Sequence, residues 1–300
     1  MRLALDIGGT FIKCASVSDE GEIAYSGKLP SDASLGTDEF AAQVVEGARE
    51  FLKQCGHEIS MVGAGMAGFT DGKRGIIRQS PNLPGVKDLE LARELRDGLG
   101  VPSFVDNDAT VAAWGEYLFG GHGDVRNMLV VTLGTGIGGG LVLDGRLFRG
   151  SRGMAGEIGQ MVLYPDGPDC RGGGRGCLEY YVGKEGLMRD YAGRAGLTEP
   201  VEPKIIHERA SAGERDAREA WAAYGARLGV VFASTANLLD LDAVILTGGI
   251  AGAWDSFSQS LMATLRDHLI TPHKDRLMVT TSSLGGDAGI LGAAFLDRAQ

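Results

Sequence analysis

The sequence predicts an α/β protein built of two related domains, and three observations carry that expectation. Short apolar stretches alternate with amphipathic ones along the whole chain, as strands and helices do when they take turns. A strand, glycine turn and strand at residues 2–17 recur in the same order at 128–143, about 127 residues later. No low-complexity tract and no run of eighteen apolar residues interrupts the pattern.

Leu3 and Leu5, then Ile12 and Val17, mark stretches too brief for helices, so 2–5 and 11–17 read as strands joined at Gly8-Gly9. Residues 38–54 read as a helix with Phe40, Val44, Val45, Ala48, Phe51 and Leu52 on one stripe and Thr37 as N-cap. A buried strand at Met61 to Ala64 leads into a glycine-rich loop through Gly68 and Gly72. Residues 88–99 form a second amphipathic helix, closed by Gly100 and Pro102. Phe104 and Val105 then run into Asp106-Asn107-Asp108, with a helix from Ala109.

In the second half, Met128 to Leu133 is an apolar strand, GTGIGGG follows, Leu141 to Leu143 is another strand, and Asp144-Gly145 is a tight turn. A long helix over 212–239 turns Trp221, Tyr224, Leu228, Phe232 and Leu239 inward. Next come a buried strand at Ala243 to Leu246, Gly248-Gly249, a helix over 254–269 and a strand near 277–281. Gly285-Gly286-Asp287 precedes a closing apolar helix.

Composition excludes several classes of function. With 39 acidic and 29 basic side chains the formal charge is −10, which argues against nucleic acid or an anionic membrane as the main partner. The 48 glycines follow no Gly-X-Y period, so they mark turns and places where backbone approaches a ligand. The opening MRLALDIGG is too short and too polar for a secretory leader, so a cytoplasmic protein is expected. Cys14, Cys55, Cys170 and Cys177 are irregularly spaced and predict no disulfide framework; the first two read as inert core residues.

The glycine loops carry the first chemical signal. The P-loop pattern is absent. Gly134, Gly136 and Gly139 match G-x-G-x-x-G, but LVLDG follows where a dinucleotide site needs a helix, so that reading fails. Glycines between two strands can still present successive N–H groups to an anion, with Thr10 and Thr135 adding hydroxyls. Asp6, at a strand end beside such a loop, is placed to hold magnesium through water. The two hairpins together with Gly248-Gly249 after Thr247 point to a bound nucleotide.

DIGGT at 6–10, NDA at 107–109, TLGTGIGGG at 132–140, AGEIG at 155–159, GCLE at 176–179, TGGI at 247–250 and GDAGILGAA at 286–294 resemble the ROK family of sugar kinases and related repressors. The resemblance spans nearly the whole chain. It implies a two-domain actin-like ATPase (ribonuclease H-like) fold with an interdomain cleft. A small domain over 1–107, joined by a C-terminal helix at about 288–300, would face a large domain over 108–287. The implied reaction moves the γ-phosphate of ATP, with Mg2+, to a sugar hydroxyl, and glucose is the leading substrate. N-acetylmannosamine, N-acetylglucosamine, fructose and other hexoses are the alternatives, and a non-catalytic sugar-binding regulator is the alternative of another class. The repressors carry a helix-turn-helix segment in front; none is expected here, so no nucleic-acid or membrane partner is expected. The resemblance also implies a homodimer.

By the same resemblance Asp108 is the general base, which a hydroxyl nucleophile requires within hydrogen-bond reach. A plain helix cap is its structural alternative. Asn107 would orient the sugar, Glu157 and Glu179 would each accept from vicinal hydroxyls, and Asn82, Ala67 and Gly68 would line the sugar. Gly8, Gly9 and Thr10 would face the outer phosphates, as would Thr132, Gly134, Thr135 and Gly136. Gly248 and Gly249 would wall the adenosine, and Lys13 would either sit near phosphate or face solvent.

One motif departs from the family. Its zinc-bearing members have a histidine three residues after the AGE glutamate and then Cys-x-Cys-Gly-x-x-Gly-Cys, a tetrahedral set. Here those four positions are Gln160, Cys170, Gly172 and Cys177, so half the ligands are gone and structural zinc is expected to be absent. Gln160 is expected to reach the sugar through its amide, and Met161, Leu163, Tyr164, Leu178, Tyr180 and Tyr181 to hold the loop instead of metal.

Overall fold

The computed structural model describes residues 1–299, and its contacts divide the chain into two units. The first unit comprises 1–124, 140–156 and 283 onward; the second comprises 125–139 and 157–282.

The first unit opens with β1 (Arg2–Ile7), β2 (Phe11–Val17) and β3 (Ile23–Pro30), followed by α1 (Thr37–Cys55) and β4 (Met61–Met66). Then come β5 (Phe69–Asp71), β6 (Ile76–Ser80), β7 (Leu83–Leu89), α2 (Leu91–Leu99), β8 (Ser103–Asn107) and α3 (Asp108–Phe119). One sheet has the order β3-β2-β1-β4-β8, with β1, β4 and β8 parallel. All six positions of β4 are buried, as a central parallel strand covered on both faces requires. Phe40, Val44 and Phe51 of α1 pack with Leu3, Leu5 and Val62 into its core.

Four expectations change here. Thr37 does not cap α1: Gly36 does, its N–H donating to the Glu39 carboxylate at 3.2 Å, while the Thr37 hydroxyl accepts from Lys87 N–H at 3.0 Å. The helix expected from 88 starts at 91, because Leu89 pairs with Ile77 and Asp88 takes a left-handed φ of 47°. The loop through Gly68 and Gly72 contains β5, part of a second, three-stranded sheet β5-β6-β7. β3 was not expected, because this edge strand is largely exposed and shows no apolar alternation.

The second half of the chain continues with β9 (Met128–Leu133), β10 (Ile137–Leu143), β11 (Arg146–Phe148), α4 (Leu178–Val182), α5 (Lys184–Ala195), α6 (Pro203–Ser211) and α7 (Arg215–Leu239). It closes with β12 (Ala243–Thr247), α8 (Trp254–His268), β13 (Met278–Thr281) and α9 (Ala288–Ala294). The sheet order is β11-β10-β9-β12-β13, and β9, β12 and β13 run parallel. α7 and α8 are joined by an aromatic cluster in which Tyr224 and Phe257 lie 5.3 Å apart. The Asp144-Gly145 turn has φ of 52° and 73°, the doubly left-handed turn that suits a two-residue hairpin.

The division expected between residues 107 and 108 differs from the observed one. α3 belongs with the first unit because it packs on α9, where Trp114 Nε1 donates to the Phe295 carbonyl at 2.9 Å. The helix expected at about 288–300 is helical over 288–294, with a 3₁₀ turn over Leu296–Ala299; Gln300 lies outside the described residues.

Candidate functional site

In the first unit three parallel strands end level with one another. The register Ile7↔Met66 and Met66↔Asn107 brings the segments that follow to one edge of the sheet. Those segments are Gly8-Gly9-Thr10, Ala67-Gly68 and Asp108, and ligands of open α/β sheets gather at this carboxyl edge. Gly9 approaches the backbone of Asn82, so the 81–82 turn joins the same group.

Asn107 is the N-cap of α3: its Oδ1 accepts from Ala109 N–H at 3.0 Å and from Thr110 N–H at 3.1 Å. Its Nδ2 donates to the Gly68 carbonyl at 3.0 Å. Gly68 itself has φ 137° and lies against the Gln79 backbone, where no side chain would fit. With the capping done by Asn107, Asp108 is released from that structural role. Its Oδ1 still accepts from Ala109 N–H at 2.9 Å.

Asp108 is exposed at this edge. Desolvation by the neighbouring protein raises the pKa of its carboxyl, and the charge of Asp6 raises it further, against hydrogen bonds from Ala109 N–H and the Asn107 side chain. A helix start alone favours the charged form. Here the surroundings outweigh it and make the carboxylate a better proton acceptor. Asp6 lies opposite Lys13 in the β1–β2 ladder, and Lys13 Nζ sits 3.1 Å from Asp6 Oδ2. Lys13 is therefore half-buried and paired.

Beneath these residues lies a buried ion pair that sequence reasoning missed. Asp106 is 1% exposed, and its Oδ2 accepts from Arg149 Nε at 2.6 Å while its Oδ1 accepts from Asn107 N–H at 2.9 Å. Arg149 Nη1 also donates to the Ala299 carbonyl at 2.6 Å. The only available signal was a charged residue inside an apolar strand, and nothing in the sequence named its partner.

The second unit has its own level edge. β9 and β12 pair through Thr132↔Thr247, so the 134–136 turn and Gly248-Gly249 leave the sheet side by side. Gly248, at φ 91°, lies against the Leu133 backbone. Thr132 faces inward on its own hairpin, its Oγ1 accepting from Gly138 N–H at 3.2 Å. Thr135 is exposed at the tip. The strand β10 follows this turn, not the helix that a dinucleotide site needs.

Glu179, near the start of α4, is bound to that turn: its Oε2 accepts from Ile137 N–H at 2.9 Å. A side chain at Gly136 would overlap this carboxylate. Lys184 N–H, at the start of α5, adds bonds to the carbonyls of Gly134 and Thr135 at 3.2 and 3.3 Å. One expected sugar ligand and one expected phosphate loop are thus a single hydrogen-bonded assembly. Glu157 is exposed and immediately precedes a short 3₁₀ turn at Ile158–Gln160, of which Gln160, half-exposed, is the last residue.

Loop 161–177 departs from the expectation of unpaired cysteines. Cys170 and Cys177 form a disulfide, whereas Cys14 and Cys55 are free. Cys14 is buried, and burial pushes its thiol up to about 12; Cys55 is only half-buried. The expected docking residues do contribute: Leu178 is fully buried, and the rings of Tyr164 and Tyr181 meet edge to face at 4.8 Å. Among the described residues no group of three or more His, Cys, Asp or Glu side chains is arranged to hold a metal ion, and no helix is long and apolar enough to cross a membrane.

Comparison with known proteins agrees with this geometry. The chain is 33% identical to a glucokinase of Streptomyces coelicolor, covering 99% of this chain and 98% of that one. It is 30% identical to an N-acetylmannosamine kinase of Citrobacter koseri, covering 98% and 97%. Its fold matches the crystal structure of a ROK family glucokinase from Streptomyces griseus in complex with glucose and AMPPNP, with a TM-score of 0.84, 31% identity, and coverage of 100% and 99%. The ROK family model itself matches residues 2–300, and the chain belongs to the ROK family.

Proposed function

We propose that this ATP-dependent sugar kinase phosphorylates glucose at a hydroxyl, with Asp108 as the base. The observation that carries the reading is the place of Asp108 at the carboxyl edge of the first sheet, level with Gly8-Gly9-Thr10 and Ala67-Gly68 and free of the capping role that Asn107 performs. As a sugar hydroxyl oxygen attacks the γ-phosphorus of ATP, Asp108 takes its proton and ADP leaves. Glu179 and Glu157 accept from sugar hydroxyls, helped by Gln160, Asn82 and the backbone at Ala67-Gly68. Asn107 supports Asp108 and, in exchange for its bond to Gly68, reaches a hydroxyl.

Gly8, Gly9 and Thr10 and the 134–136 turn receive the phosphates through N–H and hydroxyl groups, and Gly248-Gly249 borders the adenosine. Asp6 is the carboxylate that would hold the magnesium of ATP through water, in balance with its partner Lys13. That ion supplies neutralising charge to the phosphates. The reading also includes a cytoplasmic homodimer, and no structural zinc, since Gln160 and Gly172 stand at two of the four ligand positions.

The glucokinase relatives support glucose, and the N-acetylmannosamine kinase relatives support the second reading, an N-acetylhexosamine or another hexose. A coupled ATP-consumption assay across hexoses and N-acetylhexosamines separates them: glucose should give the highest kcat/KM. Highest kcat/KM for an N-acetylated sugar would select the second reading. Sugar binding with no turnover on any member of the panel would leave a regulatory protein.

A further inference from the structure

We propose that Cys170 and Cys177 are a redox-responsive pair that braces the loop leading to Glu179 and so sets the affinity for sugar. The sugar part of this proposal rests on the function proposed above; the mechanical part does not.

The bridge sits where it controls most. Glu179 follows Cys177 by two residues, and Cys177 is 2% exposed while Cys170 is half-buried. Between them Gly172, Gly173 and Gly174 form an exposed tip with Arg171 and Arg175. The loop contains no helix or regular strand, only the isolated bridges Val162↔Cys177 and Asp169↔Arg175. Its entry is tied to its exit by Leu178 N–H donating to the Met161 carbonyl at 2.8 Å. The Gln160 side-chain amide lies against Gly172. The four positions at which zinc-bearing relatives place ligands are therefore joined pairwise here, 170 to 177 by a covalent bond and 160 to 172 by contact.

Glycine-rich chain is costly to order, and a covalent link restricts what the loop can do when it opens. From Cys177 the restraint passes through Leu178, fully buried, to Glu179 and its bond with Ile137. Reduction removes the link. The more exposed Cys170 sulfur is the one a dithiol's thiolate attacks, breaking the S–S bond and releasing the Cys177 thiolate, which takes up a proton. The dithiol's second thiol then displaces Cys170, which is also protonated. Two electrons and two protons pass from the dithiol to the pair, and the dithiol becomes a disulfide.

The test uses the full-length protein oxidised with diamide, or reduced with dithiothreitol that is then removed. After denaturation, thiol titration should find two thiols per chain in the oxidised form and four in the reduced form. Trypsin should cut after Arg171 or Arg175 at least about fivefold faster in the reduced form. The half-saturating sugar concentration should rise at least about threefold on reduction, with that of ATP changed less than twofold. Cys170→Ser and Cys177→Ser should match the reduced form and ignore dithiothreitol. Equal cleavage rates and equal sugar half-saturation in the two forms would overturn the proposal. So would four thiols after diamide, or one zinc per chain in protein as purified. If no sugar is turned over at all, the proposed function fails, while thiol count and cleavage rate still decide the brace.

Discussion

At Asp108 a single carboxylate is pulled two ways: its position at a helix start and the N–H of Ala109 favour charge, while crowding and the Asp6 carboxylate oppose it. Its folded pKa is raised, so below the unfolded value the protonated form adds stability, and that contribution is lost as pH rises through the folded value. If Asp108 is the base proposed above, its ionised form is a cost to stability that the reaction requires. Asp108→Asn should therefore cut kcat by a factor on the order of 10² or more while leaving sugar binding intact and raising the thermal midpoint at pH 7. The gain in midpoint should vanish at pH below the ordinary carboxylate range. In the wild type, kcat/KM should fall with decreasing pH along a limb lying above that range. Asp6→Asn removes the neighbouring charge and should move the limb to lower pH; a limb that stays in place would separate Asp6 from the titration of Asp108.

Elements matter through what they tie together. The 134–136 turn, α4 and the start of α5 share hydrogen bonds through Glu179 and Lys184, so the proposed phosphate loop and the proposed sugar carboxylate are tied together. Gly136→Ala pushes on the Glu179 carboxylate and should raise the half-saturating concentrations of both sugar and ATP by about fivefold or more. Glu179→Gln keeps the turn free of a clash and should raise mainly the sugar value. Steady-state kinetics with each substrate varied in turn distinguishes the two; an unchanged sugar value in both variants would mean that Glu179 does not touch the sugar. At the start of α3, Asn107 carries the capping, which leaves Asp108 for the proposed chemistry.

Over the molecule as a whole, the buried Arg149–Asp106 pair links residues far apart in sequence: a site strand, the segment after β11 and the chain's last turn. Arg149→Met strands a buried charge and should destabilise the protein by ~3–5 kcal/mol, read as a lower urea midpoint. Adding Asp106→Asn should recover part of that loss, since the two residues are directly coupled. The proposed two-thiol chemistry at 170 and 177 acts locally, on the loop rather than the core.

Local chemistry was sufficient for much of this protein. The paired glycine hairpins, the long helix carrying Trp221 and Tyr224, the buried strands near 61, 128 and 243 and the Asn107-Asp108 sequence could be read from residue type and spacing, because turns and amphipathic faces are encoded by near neighbours. Edge strand β3 and the small sheet β5-β6-β7 escaped, because their stability comes from pairing with distant segments rather than from their own pattern. For the same reason only the tertiary structure decided which of Asn107 and Asp108 caps α3, which partner neutralises Asp106, and that Cys170 meets Cys177. Hydrogen bonds, desolvation and sulfur–sulfur contact act over a few ångströms in space, and a linear string of residues does not contain those distances until the chain has folded.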